Sequence, residues 1–253
     1  MFALLAATTI ALCAVGVNGA CNIPPTLWCD NPQIAKKCGV EQQCEDYARA
    51  FEHQRVKITL LYEALCGGCQ QFILNVLQPQ IFHDLGDIVD IELIPYGNAK
   101  NESGTIVCQH GEKECDMNKY ESCAIHYING TNAAVPFIYC LEKAIHDGKE
   151  LAEATKQCYR KEKISTAVQS KISTCHSGPL GDKLQQDAGL RTDAIGPIKH
   201  KFVPWVLVQG VSLNGVQSIQ NDLPLFICQW YIGPKPAACP PDSITSGIDT
   251  RYW

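Results

Sequence analysis

The sequence predicts an α/β fold in which a small sheet carries a disulfide-tied, mainly helical insertion. Three observations predict it. A β-branched, apolar run over 56–62 leads into a Cys-Gly-Gly-Cys pair, then a helical pattern, then a second apolar run over 88–95. The next 105 residues, from Gly97 to Lys201, hold six cysteines and long stretches of helical composition. Strand character then returns in HKFVPWVLVQGVSLNG, residues 200–215.

Composition supports one large core. Of 253 residues, 46% are hydrophobic and 19% charged, which excludes a purely disordered chain. Lys and Arg total 21 against 26 Asp and Glu, a net charge of −5. With no long basic run, phosphate-driven nucleic-acid binding has no electrostatic footprint. Fifteen cysteines point to an oxidising compartment or to metal clusters.

Residues 1–19 read as a signal peptide. The first twenty residues hold no Asp, Glu, Lys or Arg, and Phe2 to Val17 is almost continuously apolar. Gly19 and Ala20 supply small residues for cleavage. No later stretch is long and apolar enough to span a bilayer, so the mature chain is expected to be soluble, in the secretory pathway. There the sequons at Asn101 (Asn-Glu-Ser) and Asn129 (Asn-Gly-Thr) are candidate glycosylation sites. Removing Cys13 with the signal leaves fourteen thiols. If Cys66 and Cys69 form a redox pair, twelve remain for six bridges, whose connectivity the spacing leaves open.

Residues 20–50 form a separate cysteine-rich segment. Its Trp28-Cys29, Ala35, Cys38-Gly39-Val40 and Cys44 resemble a saposin A-type segment. Such segments flank lipid-binding modules, but the resemblance alone does not imply lipid binding.

The main domain is expected over 51–240, with the insertion at about 97–201 and a tail over 241–253. Val56 to Tyr62 reads as a buried strand. After the cysteine pair, Phe72, Ile73, Val76 and Leu77 recur at helical spacing, with Pro79 expected to kink or end the helix. Ile88 to Pro95 is the second strand. Strand, CxxC, helix, strand is the opening of a thioredoxin-like βαβ unit. Within the insertion, Ile138 to His146 and Leu151 to Ile172 have helical composition. Residues 200–215 predict two short strands around Gln209-Gly210, and the non-alternating run Val203 to Val208 suggests a central strand. Asn221 to Tyr231 is again helical.

Disulfide exchange needs an exposed thiolate to attack and a second thiol to resolve the mixed disulfide. Cys66, where strand gives way to helix, is placed to attack. Cys69, one turn further in, is placed to resolve. Gly67 and Gly68 leave the approach to the sulfur open. A thiol with a pKa of about 8.5 is only about one part in 3,000 ionised at pH 5. Lowering that pKa to about 5 gives a net gain of roughly 30- to 60-fold after the loss of intrinsic nucleophilicity. Acid-range chemistry therefore demands a perturbed Cys66. The competing readings are a zinc half-site or a plain short-range bridge. Zinc wants a second ligand pair, whereas the other cysteines stand singly, so no metal is expected.

Pro204, after Val203, fits the position at which thioredoxin-like folds place a cis-proline facing the cysteine pair. These two are the candidate substrate-docking residues, against the plainer reading of an edge-strand proline. Glu63 could tune the pair or be an exposed strand-end carboxylate. His110 could be a general base or a structural histidine. Trp28, Trp205 and Trp230 read as packing residues.

Cys108-Gln109-His110-Gly111, then Glu114-Cys115, Asn118 and Cys123, resemble the signature of the gamma-interferon-inducible lysosomal thiol reductase family. The upstream CxxC, Pro136 to Cys140, Val203-Pro204-Trp205 and Cys228 to Cys239 extend the resemblance over roughly 56–239. It implies a soluble glycoprotein reductase on a thioredoxin-like domain, opening disulfides of protein substrates at acidic pH in endosomes or lysosomes, or secreted. It implies no cofactor, only an external thiol or other reductant. No nucleic-acid partner and no membrane contact are expected, and oligomeric state is not legible. Two alternatives stand beside this reading: a secreted disulfide oxidase or isomerase on the same fold, and a non-enzymatic saposin-like lipid-binding protein.

Overall fold

The computed structural model describes residues 28–29 and 32–241. The expected signal peptide and nearly all of the tail lie outside them. The described chain falls into two compact units, a smaller one up to Ala50 and a larger one over Phe51–Pro240. In the smaller, α1 (Pro32–Cys38) is followed by α2 (Glu41–Phe51), which runs one residue into the larger unit. Cys29 is bridged to Cys44.

The larger unit is built on β1 (Val56–Tyr62), flanked by β2 (Val89–Pro95) and β5 (Trp205–Val208) in the order β2-β1-β5. β1 and β2 are parallel, pairing Ile58 with Ile91 and Tyr62 with Pro95. β1 and β5 are antiparallel, pairing Ile58 with Val208 and Leu61 with Trp205. Helices cover both faces, so the strands are apolar on both sides. Ile58, Leu60 and Tyr62 pack with Cys69, Phe72, Val76 and Leu77 in one core. Leu61, Ile94, Trp205 and Leu207 pack with Ala188 and Ile195 in the other. This alternation along β1 is the period-two pattern of a strand.

The helix after the cysteine pair does not end at Pro79. It runs as α3 (Gly67–Phe72), a π-helical stretch Ile73–Phe82 that contains the proline, and α4 (His83–Leu85). Proline has no N–H for the Asn75 carbonyl four residues back, and the Gln80 side-chain amide donates to that carbonyl instead, at 2.7 Å.

The insertion opens with a hairpin, β3 (Lys100–Glu102) and β4 (Thr105–Val107), that the sequence did not announce. It continues as α5 (Glu112–Tyr127), α6 (Val135–His146), α7 (Leu151–Lys161), α8 (Thr166–Ser177) and α9 (Pro179–Asp193). The helical run expected over 151–172 is thus broken between α7 and α8. All six insertion cysteines pair among themselves: Cys108 with Cys115, Cys123 with Cys175 and Cys140 with Cys158. Cys228 is bridged to Cys239.

Two expectations for 200–215 are corrected. Only one strand forms, because Val211 and Ser212 make isolated bridges before the short helix α10 (Asn214–Ser218) begins. β5 is also an edge strand of the three-stranded sheet, not a central one. Its apolar character survives because its side chains are covered on both faces. Its open edge is closed by Gln217, which accepts from the Val206 amide at 2.9 Å and donates to the Val206 carbonyl at 2.8 Å. α11 (Leu223–Trp230) completes the unit.

Candidate active site

β1 ends at Tyr62, and the chain turns through Glu63, Ala64 and Leu65 into α3 with Cys66 as its N-cap. The Cys69 amide donates to the Cys66 sulfur at 3.3 Å, as a capping side chain accepts from the first turn. Cys66 is half-buried, and Cys69 has no exposed surface. Among the described residues these are the free cysteines.

The two thiols are driven apart electrostatically. The Cys69 thiol bonded to it, then the backbone amides of Cys69 and Gly68 and the charge of His110, outweigh burial and bring Cys66 down to about 6. Burial, then the neighbouring Cys66, pushes the Cys69 thiol far up. At pH 5 a pKa of about 6 leaves roughly a tenth of the thiol ionised, some 300-fold more than an unperturbed thiol. After the loss of nucleophilicity the gain is about 15- to 30-fold.

Val203 and Pro204 come to the same place from the other end of the chain. Their peptide bond is cis, and the Val203 carbonyl lies 3.8 Å from the Cys66 sulfur. A Cβ on Gly68 would stand 3.6 Å from Pro204 Cδ and 3.9 Å from that sulfur, so glycine keeps the gap between them open. Asn101 and Asn129 are both exposed, Asn101 on β3 and Asn129 just after α5.

A second cluster adjoins the thiols, and it corrects the bland reading of Glu63. That side chain is completely buried at the end of β1. Its Oε1 accepts from the Asn98 amide at 2.6 Å, and His110 Nδ1 lies 3.4 Å from its Oε2. Burial lifts Glu63 to about 7. Gly97, at φ +59°, supplies the space, since a Cβ there would collide with the Glu63 side chain. His110, just before α5, is hydrogen-bonded to Glu114, which lies in the first turn of that helix and is also completely buried. The Cys108–Cys115 bridge closes this loop. Side-chain N and O atoms of Glu63, His110 and Glu114 lie within 4.8 Å of one another. Their mutual pairing already satisfies most of those atoms. Glu63 and His110 were singled out separately in the sequence, and their meeting was hidden by their distance along the chain. The signal that could have found them was a His and a Glu spaced i, i+4 between two cysteines.

Of the three tryptophans read as packing residues, Trp205 is fully buried and donates to Ser212 Oγ at 2.8 Å, whereas Trp230 is 36% exposed.

A dithiol with one activated and one buried sulfur, at the helix entrance of a parallel strand–helix–strand unit, defines a thiol–disulfide oxidoreductase, an enzyme acting on disulfides. The chain belongs to the gamma interferon inducible lysosomal thiol reductase family, whose model matches residues 57–162. It is 36% identical to the gamma-interferon-inducible lysosomal thiol reductase of Carassius auratus, over 93% of this chain and 91% of that protein. It is 34% identical to the gamma-interferon-responsive lysosomal thiol protein of Arabidopsis thaliana, over 79% and 82%. With the mouse (Mus musculus) reductase it shares 36% identity over 73% of this chain and 71% of the relative.

Proposed function

We propose that this enzyme reduces protein disulfides in an acidic compartment of the secretory or lysosomal pathway, with Cys66 as nucleophile and Cys69 as resolving thiol. The Cys66 thiolate attacks a substrate disulfide, forming a mixed disulfide and releasing one substrate sulfur as a thiolate that takes up a proton. Cys69 then loses its proton and attacks Cys66. The Cys66–Cys69 bond forms, and the second substrate sulfur leaves and is protonated. An external thiol reductant returns the pair to the dithiol. Val203 and Pro204 dock the substrate backbone beside Cys66. Asn101 and Asn129 are exposed acceptors for N-glycans, the leader over 1–19 directs export, and the lysosomal names of the relatives favour that destination.

The observation that carries this reading is the split between the two sulfurs: Cys66, capped by the Cys69 amide at 3.3 Å, is brought down to about 6, and Cys69 is held neutral one turn behind. The test is reduction of a denatured disulfide-bonded protein at pH 5 and pH 7. Cys66→Ser is expected to abolish turnover. Cys69→Ser is expected to accumulate a covalent enzyme–substrate adduct that added thiol releases. Full activity in Cys66→Ser would dismiss the mechanism.

One observation favours a second reading. Stabilising the Cys66 thiolate stabilises the reduced enzyme, which favours accepting electrons from substrate thiols. A reduction potential near that of strong disulfide oxidants would assign the protein to oxidation.

A further inference from the structure

The interior of the cysteine pair, Gly67-Gly68, carries no side chain that could balance a thiolate. After the Cys69 thiol and the backbone amides, a charge that favours the thiolate comes from the insertion, on His110. His110 is gripped from two directions: Nδ1 is hydrogen-bonded to Glu114 Oε2 and stands 3.4 Å from Glu63 Oε2. Glu63 is in turn tied to the nucleophile, its carbonyl accepting from the Cys66 amide at 3.2 Å. The surroundings hold this arrangement in register. Asn98 donates its amide to Glu63 and its side chain to Gln109 Oε1, each at 2.6 Å, and the Gln109 amide donates to Glu114 Oε1 at 3.1 Å. The Cys108–Cys115 bridge clamps the base of the loop. Both carboxyl side chains are fully buried and Glu63 Oε2 has no hydrogen-bond donor, whereas the imidazole is 40% exposed at the mouth of the site. Two buried carboxyl groups with one ring between them form a cradle for an imidazolium.

We propose that protonated His110, seated between Glu63 and Glu114, is a positioning residue for the reaction: it holds a positive charge beside the Cys66 sulfur and so makes that thiol reactive in acid. The assignment rests on reading Cys66 as the nucleophile.

The titratable groups around the sulfur act consistently with this role. Glu114 raises His110, chiefly through their hydrogen bond, and His110 is one of the groups that lower Cys66. Glu63, lifted to about 7, is largely neutral in acid and does not then compete with the thiolate for the cation. Above that pH Glu63 ionises, and a further anion faces the ring. Cys69 from within α3 and Glu142 from α6 complete the set facing Cys66, and both are held neutral by burial. The benefit of His110 is therefore greatest on the acid side.

The test is the rate at which iodoacetamide alkylates Cys66, followed by mass spectrometry across pH in the full reduced chain. His110→Gln is expected to slow alkylation at pH 5 by roughly three- to tenfold, a shift of about half to one pKa unit. It should leave the rate above pH 8 unchanged, where the thiol is ionised anyway. His110→Lys, which keeps a cation, restores the acid-range rate, and Glu114→Gln falls between. An unchanged profile in His110→Gln overturns the assignment. So does a uniform slowing at every pH, which would mark a purely structural role, or a His110→Lys variant as slow as His110→Gln. Loss of turnover in Cys66→Ser together with an unchanged His110→Gln profile rejects this assignment alone. Retained turnover in Cys66→Ser rejects the nucleophile as well.

Discussion

The backbone amide of Cys69 points at the sulfur of Cys66 from 3.3 Å, while its own thiol is sealed from solvent. The same residue thus stabilises the anion twice, through its amide and through its S–H, and the S–H is the largest single cause of the lowered Cys66 ionisation. Cys69→Ala removes the S–H and keeps the amide. The Cys66 midpoint should rise by about one unit, roughly a tenfold loss of thiolate below it. Cys69→Ser, which keeps a hydroxyl donor, should move it less. Site-resolved alkylation across pH distinguishes the two.

Three fully buried carboxyls, Glu63 and the adjacent pair Glu121 and Glu142, shape the pH dependence of stability. Tyr62 donates to Glu121 Oε2 at 2.6 Å, but both oxygens of Glu142 lack a donor. Burial raises both members of the pair, the neighbouring Glu121 adds to the rise of Glu142, and burial raises Glu63 from 4.5 to about 7. A carboxyl raised in the folded state keeps a proton that the unfolded chain gives up. The unfolded state then binds fewer protons, and stability falls as pH rises from 4.5 towards 7. The protein should melt several degrees higher at pH 5 than at pH 7.5. Glu142→Gln, which mimics the neutral acid, should raise the pH 7.5 melting temperature and leave the pH 5 value nearly unchanged. Calorimetry at the two pH values checks both.

The bridges of the insertion should differ in weight. Cys123–Cys175 ties α5 to α8 across 52 residues, whereas Cys108–Cys115 spans seven. Loop-closure entropy assigns about 4 kcal/mol to the first and about 2.5 to the second. Replacing Cys123 and Cys175 by alanine should therefore lower the melting temperature more than replacing Cys108 and Cys115. The smaller bridge should instead announce itself at the site. Its loss frees the His110 loop and should raise the Cys66 midpoint, an effect the larger bridge lacks.

Gln217 stands in for a missing strand, bonding both backbone groups of Val206. Gln217→Ala leaves those groups to find water beside a packed edge, and should cost about 1–3 kcal/mol, read as a lower denaturation midpoint.

The same strand shows where sequence reasoning reached and where it stopped. Local patterns were legible: β1, the cysteine pair, the helix after it and β2 lie within 40 residues, and each follows from its own periodicity. Val203-Pro204 was placed opposite Cys66 only through the likeness to a known fold. The edge position of β5 was not legible, since an apolar run reads alike whether neighbours or a glutamine side chain close its edge. That the helix continues past Pro79 was not legible, because the compensation, Gln80 on the Asn75 carbonyl, is a side-chain bond no propensity encodes. The β3–β4 hairpin was missed because its residues are almost all exposed and carry no apolar alternation. Glu63 and His110 stood out singly, but neither announced the other across the chain. Burial of Glu63 depends on Gly97 and Asn98, which folding alone brings to it.

The proposed mechanism depends on the charge of the sulfur at position 66. Its ionisation can be followed directly in the reduced, full-length protein by the ultraviolet absorbance of the thiolate, with Cys66→Ser as the blank. The expected titration has its midpoint near 6. A midpoint near the unperturbed value of about 8.5 would contradict the account.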